Sequence, residues 1–189
     1  GSPEIEFVAR NSYEADTDLI NYLGVGDTID LEKPFIMVMQ HSVTTEFIDA
    51  RRQIDETLHA VDKLGGVPAI WFWPNIDAGT DLISKGIRSF RETHKPPHIR
   101  FIKHLPPEQF IGLLKKAHVL VGNSSAGLKE AAFLGVPVVN IGSRQNGRYR
   151  GVHVKDIPYE RAAIKGAILA QLEKGRFPRD DYHYQPNSS

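Results

Sequence analysis

Residues 119 to 141 read VLVGNSSAGLKEAAFLGVPVVNI and contain one complete β-α-β pattern. Two short apolar runs, Val119–Val121 and Val138–Ile141, flank Ser124–Leu134, whose apolar residues have helical spacing. The first run is entirely apolar, the second has one polar residue, Asn140, and neither alternates with polar residues, which is typical of strands buried on both faces of a parallel sheet. The stretch therefore predicts two parallel strands joined by a helix.

The same alternation extends outward over residues 34 to 175. Further apolar runs predict strands at Phe35–Met39, Ala69–Trp73, Ile99–Ile102 and, more briefly, Val152–Val154. The intervening segments have helical spacing, at Thr44–Leu64, Ala78–Thr93, Pro106–Ala117 and Tyr159–Gly175. Because crossovers between parallel strands are right-handed, these βα units predict an α/β fold with a doubly wound, Rossmann-like sheet of about six parallel strands.

The two ends of the chain do not share this repeat. Residues 1 to 33 are interpreted as an N-terminal segment or interdomain linker, with a short strand at Glu4–Ala9, a short helix at Ala15–Leu23 and a loop at Gly24–Asp27. Residues 34 to 175 form the predicted ligand-binding domain. Residues 176 to 189 are polar and without periodicity, which predicts a C-terminal tail.

Composition excludes several functional classes. The 189 residues carry 23 Lys plus Arg and 23 Asp plus Glu, without the basic excess typical of nucleic-acid or anionic-membrane binders. The absence of Cys excludes disulfides, thiolate zinc sites and a cysteine nucleophile. Apolar runs are far shorter than the roughly 20 residues of a membrane helix. We expect a cytoplasmic protein that needs no metal or cofactor and contacts neither nucleic acid nor membrane.

Polar and glycine-rich segments follow the predicted strands. They are Gln40–Ser42, Pro74–Gly79, Lys103–Pro106, Gly122–Gly127 and Gly142–Arg150. In an open parallel sheet, ligands bind outside the carboxyl ends of the strands. The sequence therefore predicts one ligand-binding edge to which these segments contribute.

The segment Gly122–Glu130 carries the strongest signal. Small residues end a strand and open a predicted helix, so that free backbone N–H groups and the hydroxyls of Ser124 and Ser125 point toward an anion. Ala126 and Gly127 complete this small-residue turn. The pattern predicts a phosphate cradle. It is not a Walker loop, because the Gly-Lys-Ser/Thr ending is absent.

Glu130 lies about two turns into that predicted helix and is a candidate for bidentate hydrogen bonding to a ribose diol, as acidic residues do in dinucleotide sites. The alternative is that Asn123 and the serines only cap the helix. The first βα turn lacks a GxGxxG motif, which argues against a dinucleotide oxidoreductase.

Cationic and titratable side chains follow other strands. Arg144, Arg148 and Arg150 share a glycine-containing loop, where their guanidinium groups either neutralise a diphosphate or remain solvated. His41 ends the first predicted strand and is either a structural histidine or a general acid beside a leaving phosphate. Asn75 follows another strand and is either a ligand contact or a turn residue.

Five motifs in a fixed order resemble the hydrolysing UDP-N-acetylglucosamine 2-epimerases. They are QHSVTTE at 40–46, WPNIDAG at 73–79, KHLP at 103–106, GNSSAG at 122–127 followed by Glu130, and NIG at 140–142 continuing through Arg144-Gln145 and Gly147-Arg148. The resemblance covers about residues 34 to 175. Departures are small: Ser42 stands where Pro is common, and the tail lacks an expected Tyr-Gly-Asp-Gly segment.

This resemblance implies two Rossmann-like domains arranged as in the GT-B glycosyltransferases, with the sugar nucleotide in the cleft between them. The chain is similar to the second domain. The implied contacts are Ser124, Ser125 and Arg144 to the diphosphate, Glu130 to the ribose, the Leu105 backbone to the uracil, Asn75 to the nucleotide-sugar pocket, and His41 beside the reacting sugar.

The resemblance also implies a reaction. UDP-N-acetylglucosamine loses UDP by anti-elimination, and hydration of the resulting glycal gives N-acetylmannosamine. The carboxylate bases near C2 of the sugar come mainly from the first domain. The implied partners are therefore UDP, UDP-N-acetylglucosamine and the N-terminal domain of the parent protein. The sequence leaves the oligomeric state of that parent open, with a homo-oligomer as one alternative.

Two other functional classes remain open from the sequence. One is a different GT-B enzyme, a glycosyltransferase with a nucleotide-sugar donor, whose donor domain also uses helix N-termini and a ribose-binding Glu. The other is a non-catalytic UDP-binding module. An acceptor assay distinguishes the first, and the gene context distinguishes the second.

Overall fold

A seven-stranded sheet forms the centre of the computed structural model, which describes residues 3–10, 12–74 and 80–184. The strands are β1 (Gly24–Gly26), β2 (Ile36–Met39), β3 (Ala69–Phe72), β4 (Ile99–Ile102), β5 (Val119–Gly122), β6 (Val138–Ile141) and β7 (Val154–Ile157). The α-helices are α1 (Pro3–Arg10), α2 (Thr17–Leu23), α3 (Ala50–Asp62), α4 (Thr80–His94), α5 (Pro107–Lys116), α6 (Glu130–Leu134) and α7 (Arg161–Lys174).

The strand order is β1-β4-β3-β2-β5-β6-β7. All neighbours from β4 to β7 pair in parallel, and β1 adds an antiparallel edge through Val25 opposite Phe101. The chain moves outward from β2 to β4 and then returns to place β5 beside β2. This reversal creates a topological switch point between β2 and β5, where α/β sheets bind ligands.

Two apolar cores cover the two faces of the sheet. Ile36 and Val38 of β2 point into the core formed with α3, α4 and α7, whereas Met37 points into the opposite core formed with α5 and α6. This split follows from the alternation of side chains along a strand. Burial on both faces explains why the central strands β2, β3 and β5 are apolar runs, and it confirms the predicted doubly wound α/β fold.

The N-terminal segment differs from the prediction in two places. Residues 4–9 were expected to be a strand but lie in α1, because Ile5 and Val8 are three residues apart and both pack against Ile111 and Phe133. The expected loop at Gly24–Asp27 contains β1, which pairs with β4. Both corrections arise from contacts with distant parts of the chain.

Three further boundaries also differ. The last strand lies at 154–157 and not at 152–154, since Val152 is 84% exposed. The expected helix Thr44–Leu64 begins as a 3-10 helix over Thr44–Asp49 before α3. The expected helix Ser124–Leu134 is divided into a 3-10 turn, Ser125–Gly127, and α6.

The C-terminal tail folds back over the domain as far as residue 184. The N–H groups of Phe177 and Asp180 donate to the carbonyls of Gly135 and Ala132, each at 3.0 Å. The Tyr149 hydroxyl lies 3.0 Å from the Asp180 carboxylate. The tail thus fastens α6 to the loop after β6. No helix among the described residues is long and apolar enough to cross a membrane.

Candidate functional site

Asn123 joins the loops on either side of the switch point. Its fully buried side chain accepts a hydrogen bond from the His41 N–H and donates one to the His41 carbonyl, both at 2.8 Å. His41 follows β2, whereas Asn123 follows β5, so these two bonds fix one loop against the other. His41 itself is only 5% exposed.

The Asn123 carbonyl connects a third loop. It accepts hydrogen bonds from Arg144 Nη1 at 3.0 Å and from Gln145 Nε2 at 2.9 Å, both in the loop after β6. One residue therefore holds three segments of the ligand-binding edge. Asn123 was considered only as a helix cap, but the residue that caps the turn is Ser124, whose Oγ accepts from the Ala126 N–H at 3.2 Å.

Gly122 allows this close approach of β5 and β2. Its φ is +132°, and a Cβ at this position would lie 2.0 Å from the Met39 carbonyl oxygen. A side chain there clashes with backbone that cannot move aside, and the dihedral angle is itself unfavourable for other residues. The glycine that ends β5 is therefore a structural requirement of the site.

The turn after Asn123 has fewer free donors than expected. The N–H groups of Ala126, Gly127 and Leu128 already donate to Ser124 or Ser125. The predicted cluster of free backbone N–H groups is therefore not present at these three residues. Ala126 and Gly127 are buried, whereas Ser124 and Ser125 are half-buried.

Glu130 begins α6 and does not lie two turns into a helix as predicted. Its side chain is 9% exposed, and Oε2 has no hydrogen-bond partner within the described residues. Burial raises the pKa of this carboxyl above its ordinary value, with a smaller opposing effect from a backbone hydrogen bond. A buried carboxylate oxygen without a donor is costly unless a ligand supplies one.

The Glu130 carboxyl lines a cavity of about 430 Å³. The other lining residues are Pro3, Glu4, Phe7, Pro107, Phe110 and Ile111, which come from α1 and α5. Apart from Glu4, the residues around the Glu130 carboxyl offer rings and apolar groups. Leu105, just before α5, places its side chain in the core.

The three arginines after β6 have different positions. Arg144 is half-buried, bonds Asn123 and lines a cavity of about 370 Å³ with Ser42 and Ser143. Arg150 pairs with Asp156 at 3.0 Å and donates to the carbonyls of Arg148 and Gln145. Arg148 is exposed. The structure brings Arg144 to the switch point and leaves Arg148 on the surface. The role of Arg148 in binding stays a prediction.

Glu46 entered the sequence analysis only as the last residue of the QHSVTTE motif and was given no role. Its two carboxylate oxygens accept hydrogen bonds from Ser143 Oγ at 2.5 Å and from Gln53 Nε2 at 3.0 Å. With Arg52 and Tyr159 it lines a cavity of about 570 Å³. The structure thus places a carboxylate at the same edge as His41, where the sequence offered no evident candidate.

One predicted contact, Asn75, lies outside the described residues. Within the parts of the chain that are described, no group of three or more His, Asp or Glu side chains is arranged to hold a metal ion.

A family model described as UDP-N-acetylglucosamine 2-epimerase matches residues 1–187. The chain belongs to this epimerase family. The match extends the resemblance beyond residues 34–175 to both ends of the chain. Membership in this family does not favour the alternative of a glycosyltransferase donor domain.

Two relatives of this epimerase-family chain have curated names. It is 32% identical over 183 residues to UDP-N-acetylglucosamine 2-epimerase of Neisseria meningitidis serogroup B, covering 96% of this chain and 45% of that protein. It is 35% identical over 146 residues to polysialic acid biosynthesis protein P7 of Escherichia coli, covering 76% of this chain and 37% of that protein. The chain therefore spans less than half the length of these relatives.

The fold also matches a solved epimerase structure. The UDP-GlcNAc 2-epimerase of Methanocaldococcus jannaschii, crystallised with UDP-GlcNAc and UDP, superposes with a TM-score of 0.64 at 14% identity. The match covers 94% of this chain and 47% of that chain. At this identity the likeness shows the shared fold.

Proposed function

We propose that this chain is the nucleotide-binding half of a hydrolysing UDP-N-acetylglucosamine 2-epimerase. In the two-domain parent, it binds the UDP part of UDP-N-acetylglucosamine while the N-terminal domain supplies carboxylate bases for elimination and hydration. The products are N-acetylmannosamine and UDP. Family membership supports the substrate class, and the relative named polysialic acid biosynthesis protein P7 supports a role in making amino sugars of the sialic acid type. We assign this role to the cytoplasm.

The observation that carries this proposal is the buried Glu130 carboxyl. Its free oxygen faces a cavity bounded by Phe7, Pro107 and Phe110. A ribose offers two adjacent hydroxyl donors, which fit a carboxylate acceptor, and a planar base fits between rings and apolar groups. We therefore assign Glu130 to the ribose and the walls of this cavity, near Leu105, to the uracil.

The diphosphate is assigned to the turn after β5. Ser124 and Ser125 lie in the sequence between Asn123 and Glu130, and both carry a hydroxyl. The Asn123 carbonyl accepts a hydrogen bond from the Arg144 guanidinium. Arg144 is thereby fixed close to the turn and offers its remaining N–H groups to phosphate oxygens. This arrangement replaces the cluster of free backbone donors that the sequence predicted.

The sugar is assigned to the opposite side of the same edge. The Asn123 side chain holds the His41 backbone, so the Cα from which the His41 ring extends is fixed beside the turn assigned to the diphosphate. In the parent, we assign His41 the role of general acid for the departing UDP. The reaction also requires the N-terminal domain of the parent, and we expect the parent to form a homo-oligomer. The isolated chain is expected to bind UDP without turning over UDP-N-acetylglucosamine.

The test compares UDP with inorganic diphosphate by calorimetry on the 189-residue chain. Glu130→Gln removes a charged acceptor, and losing one such hydrogen bond costs about 1.5–3 kcal/mol, or roughly 10- to 100-fold in Kd. We expect this loss for UDP and little change for diphosphate, which lacks a ribose. The matched control is Glu173→Gln, since Glu173 is exposed on α7.

If Glu130→Gln lowers the affinity for UDP and for diphosphate equally, Glu130 affects binding by stabilising the fold or by contacting the diphosphate, and not through the ribose. Absence of UDP binding at millimolar concentration in the unaltered chain contradicts the proposed function itself. Binding of UDP that is unaffected by Glu130→Gln places the nucleotide elsewhere on the chain.

A further inference from the structure

His153 is a buried titratable side chain that the proposed reaction does not use. It lies directly before β7 and is only 2% exposed. Its Nε2 atom is 2.7 Å from the carbonyl oxygen of Gly127, in the turn that follows β5. Because a carbonyl only accepts hydrogen bonds, this contact assigns the ring hydrogen to Nε2. The His153 side chain thus donates to the backbone of the turn assigned to the diphosphate.

The segment that contains Gly127 is not a continuous helix. A 3-10 turn, Ser125–Gly127, is separated from α6 by Lys129, whose φ of −106° and ψ of −81° depart from helical values. α6 has only five residues, and its N-cap residue, Lys129, forms no capping side-chain bond with the described residues. So short a helical segment is marginal without contacts from other parts of the fold. The hydrogen bond from His153 supplies such a contact at the end of the turn.

The backbone of His153 is itself fixed by two other elements. Its carbonyl accepts hydrogen bonds from the Val138 N–H in β6 and from Gln171 Nε2 in α7, both at 2.9 Å. Gln171 is buried and also donates to the Val138 carbonyl at 2.9 Å. The Cα from which the imidazole extends therefore has a fixed position relative to the sheet and to α7.

The second ring nitrogen, Nδ1, faces the C-terminal tail. A Cβ at Gly151 would lie 3.0 Å from His153 Nδ1 and closer still to the Asp180 carboxylate, so the missing side chain lets this carboxylate lie beside the imidazole. Burial lowers the pKa of His153. The hydrogen bond to Gly127 and the Asp180 carboxylate oppose this effect, and His183 adds to it. The ring is therefore uncharged at neutral pH and carries one N–H, directed at Gly127.

We infer that His153 is a positioning residue for the diphosphate site, acting through the Gly127 carbonyl on the turn that carries Ser124 and Ser125. This inference rests on the function proposed above, and it assigns His153 no contact with the substrate. A turn that is fixed before the ligand arrives loses less conformational freedom on binding. Removing the hydrogen bond should therefore weaken the binding of UDP and of inorganic diphosphate.

Two replacements separate the two ring nitrogens. The amide N–H₂ of Gln reaches the position of Nε2, whereas that of Asn reaches only the position of Nδ1, so His153→Gln keeps a donor for Gly127 and His153→Asn does not. UDP and inorganic diphosphate are titrated by calorimetry into the 189-residue chain. The Kd for both ligands should rise by about tenfold in His153→Asn and by less than about threefold in His153→Gln.

The matched control is His118→Asn, which makes the same replacement at an exposed histidine directly before β5. It lies at the opposite end of the strand from the turn, and its replacement should change either Kd by less than about twofold. Thermal melts followed by circular dichroism define a temperature at which every variant is folded, and the titrations are made there. Loss of folded protein is thereby separated from loss of affinity.

NMR of the chain with ¹⁵N-labelled histidine adds a measurement that a purely structural hydrogen bond would not affect. If the His153–Gly127 bond and ligand binding stabilise each other, linkage requires the effect to be reciprocal. Saturation with diphosphate should therefore slow the exchange of the His153 Nε2 hydrogen with solvent by a factor similar to the change in Kd. The hydrogen should also be found on Nε2 and not on Nδ1.

The outcomes distinguish this inference from the proposed function. The inference is wrong, and the proposed function stands, if the unaltered chain binds UDP and His153→Asn binds it equally well. It is also wrong if His153→Gln loses as much affinity as His153→Asn, if His118→Asn loses as much, or if ligand leaves the exchange of the Nε2 hydrogen unchanged. Failure of the unaltered chain to bind UDP and diphosphate overturns both.

Discussion

The switch point and the surface between α4 and the strands β4 and β1, which carries Arg88 and Arg91 and is here called the α4 groove, both gather polar side chains against the sheet. The two regions use these side chains differently. At the switch point, Asn123 and Glu46 bond neighbouring loops, so most polar groups already have partners. In the α4 groove, the Arg88 and Arg91 guanidinium groups contact ring faces and have no hydrogen-bond acceptor among the described residues.

The difference separates two ways of preparing a site. Internal hydrogen bonds fix the geometry of the switch point before a ligand arrives, which reduces the cost of ordering its loops on binding. The α4 groove instead holds unpaired charge at the surface, where solvent stabilises it. Removing polar side chains should therefore lower the stability of the fold at the switch point and leave it nearly unchanged at the α4 groove.

The largest expected effect follows from Asn123→Ala. It removes both hydrogen bonds between the Asn123 side chain and the buried His41 backbone, and the loss of a buried hydrogen-bond partner costs about 1–3 kcal/mol per group. We expect the free energy of unfolding to fall by about 2–5 kcal/mol, measured by urea denaturation. Asn146→Ala, at an exposed position in the loop after β6, serves as the matched control and should change it by less than about 0.5 kcal/mol.

Arg88→Gln extends the same measurement to the α4 groove. Because its guanidinium is exposed and has no hydrogen-bond acceptor in the described chain, its replacement should resemble the control. A loss as large as that of Asn123→Ala would mean that the groove is held together by its cations. Near-normal stability of Asn123→Ala would mean that the switch point is held by packing alone. Either result removes the contrast.

A smaller effect is expected in the pH dependence of stability. Burial raises the pKa of Glu130 in the folded chain, whereas the unfolded chain has the ordinary value of 4.5. Between these values the folded state binds more protons, so the contribution of Glu130 to stability falls as the pH rises from below 4.5 through the raised pKa. Glu130→Gln removes this contribution.

Thermal melts of both proteins across this pH range measure the difference. The decline in Tm with rising pH should be steeper for the unaltered chain than for Glu130→Gln, because all other titrating groups are common to both. If the plots of Tm against pH are parallel for the two proteins, the Glu130 carboxyl is solvated in the folded chain, and its buried position in the cavity is contradicted. Saturating UDP should also reduce the decline, since ribose hydroxyls would stabilise the carboxylate.

Most of the sheet was predictable because its strands are buried on both faces. The runs at Ile99–Ile102 and Val138–Ile141 match β4 and β6 to the residue. The short elements α1 and β1 were not recognised, since a single turn of apolar spacing or a Gly-Val-Gly segment has no distinctive pattern. Their structure depends on packing against α5, α6 and β4.

The site was predictable only where topology determines it. Parallel strands bring His41, Ser124 and Arg144 to one edge, and the sequence places each directly after a strand. Sequence spacing could not predict Asn123 as the connection between loops, because its partner His41 lies 82 residues away. Glu46 was missed for the same reason: its contact Ser143 is 97 residues distant.

A crystal structure of the chain with UDP tests the central claim most directly. The account predicts the diphosphate at Ser124, Ser125 and Arg144, with both ribose hydroxyls within hydrogen-bond distance of the Glu130 carboxylate and the uracil between Phe7 and Phe110. UDP bound only against Arg88 and Arg91, with the Glu130 cavity empty, would contradict it.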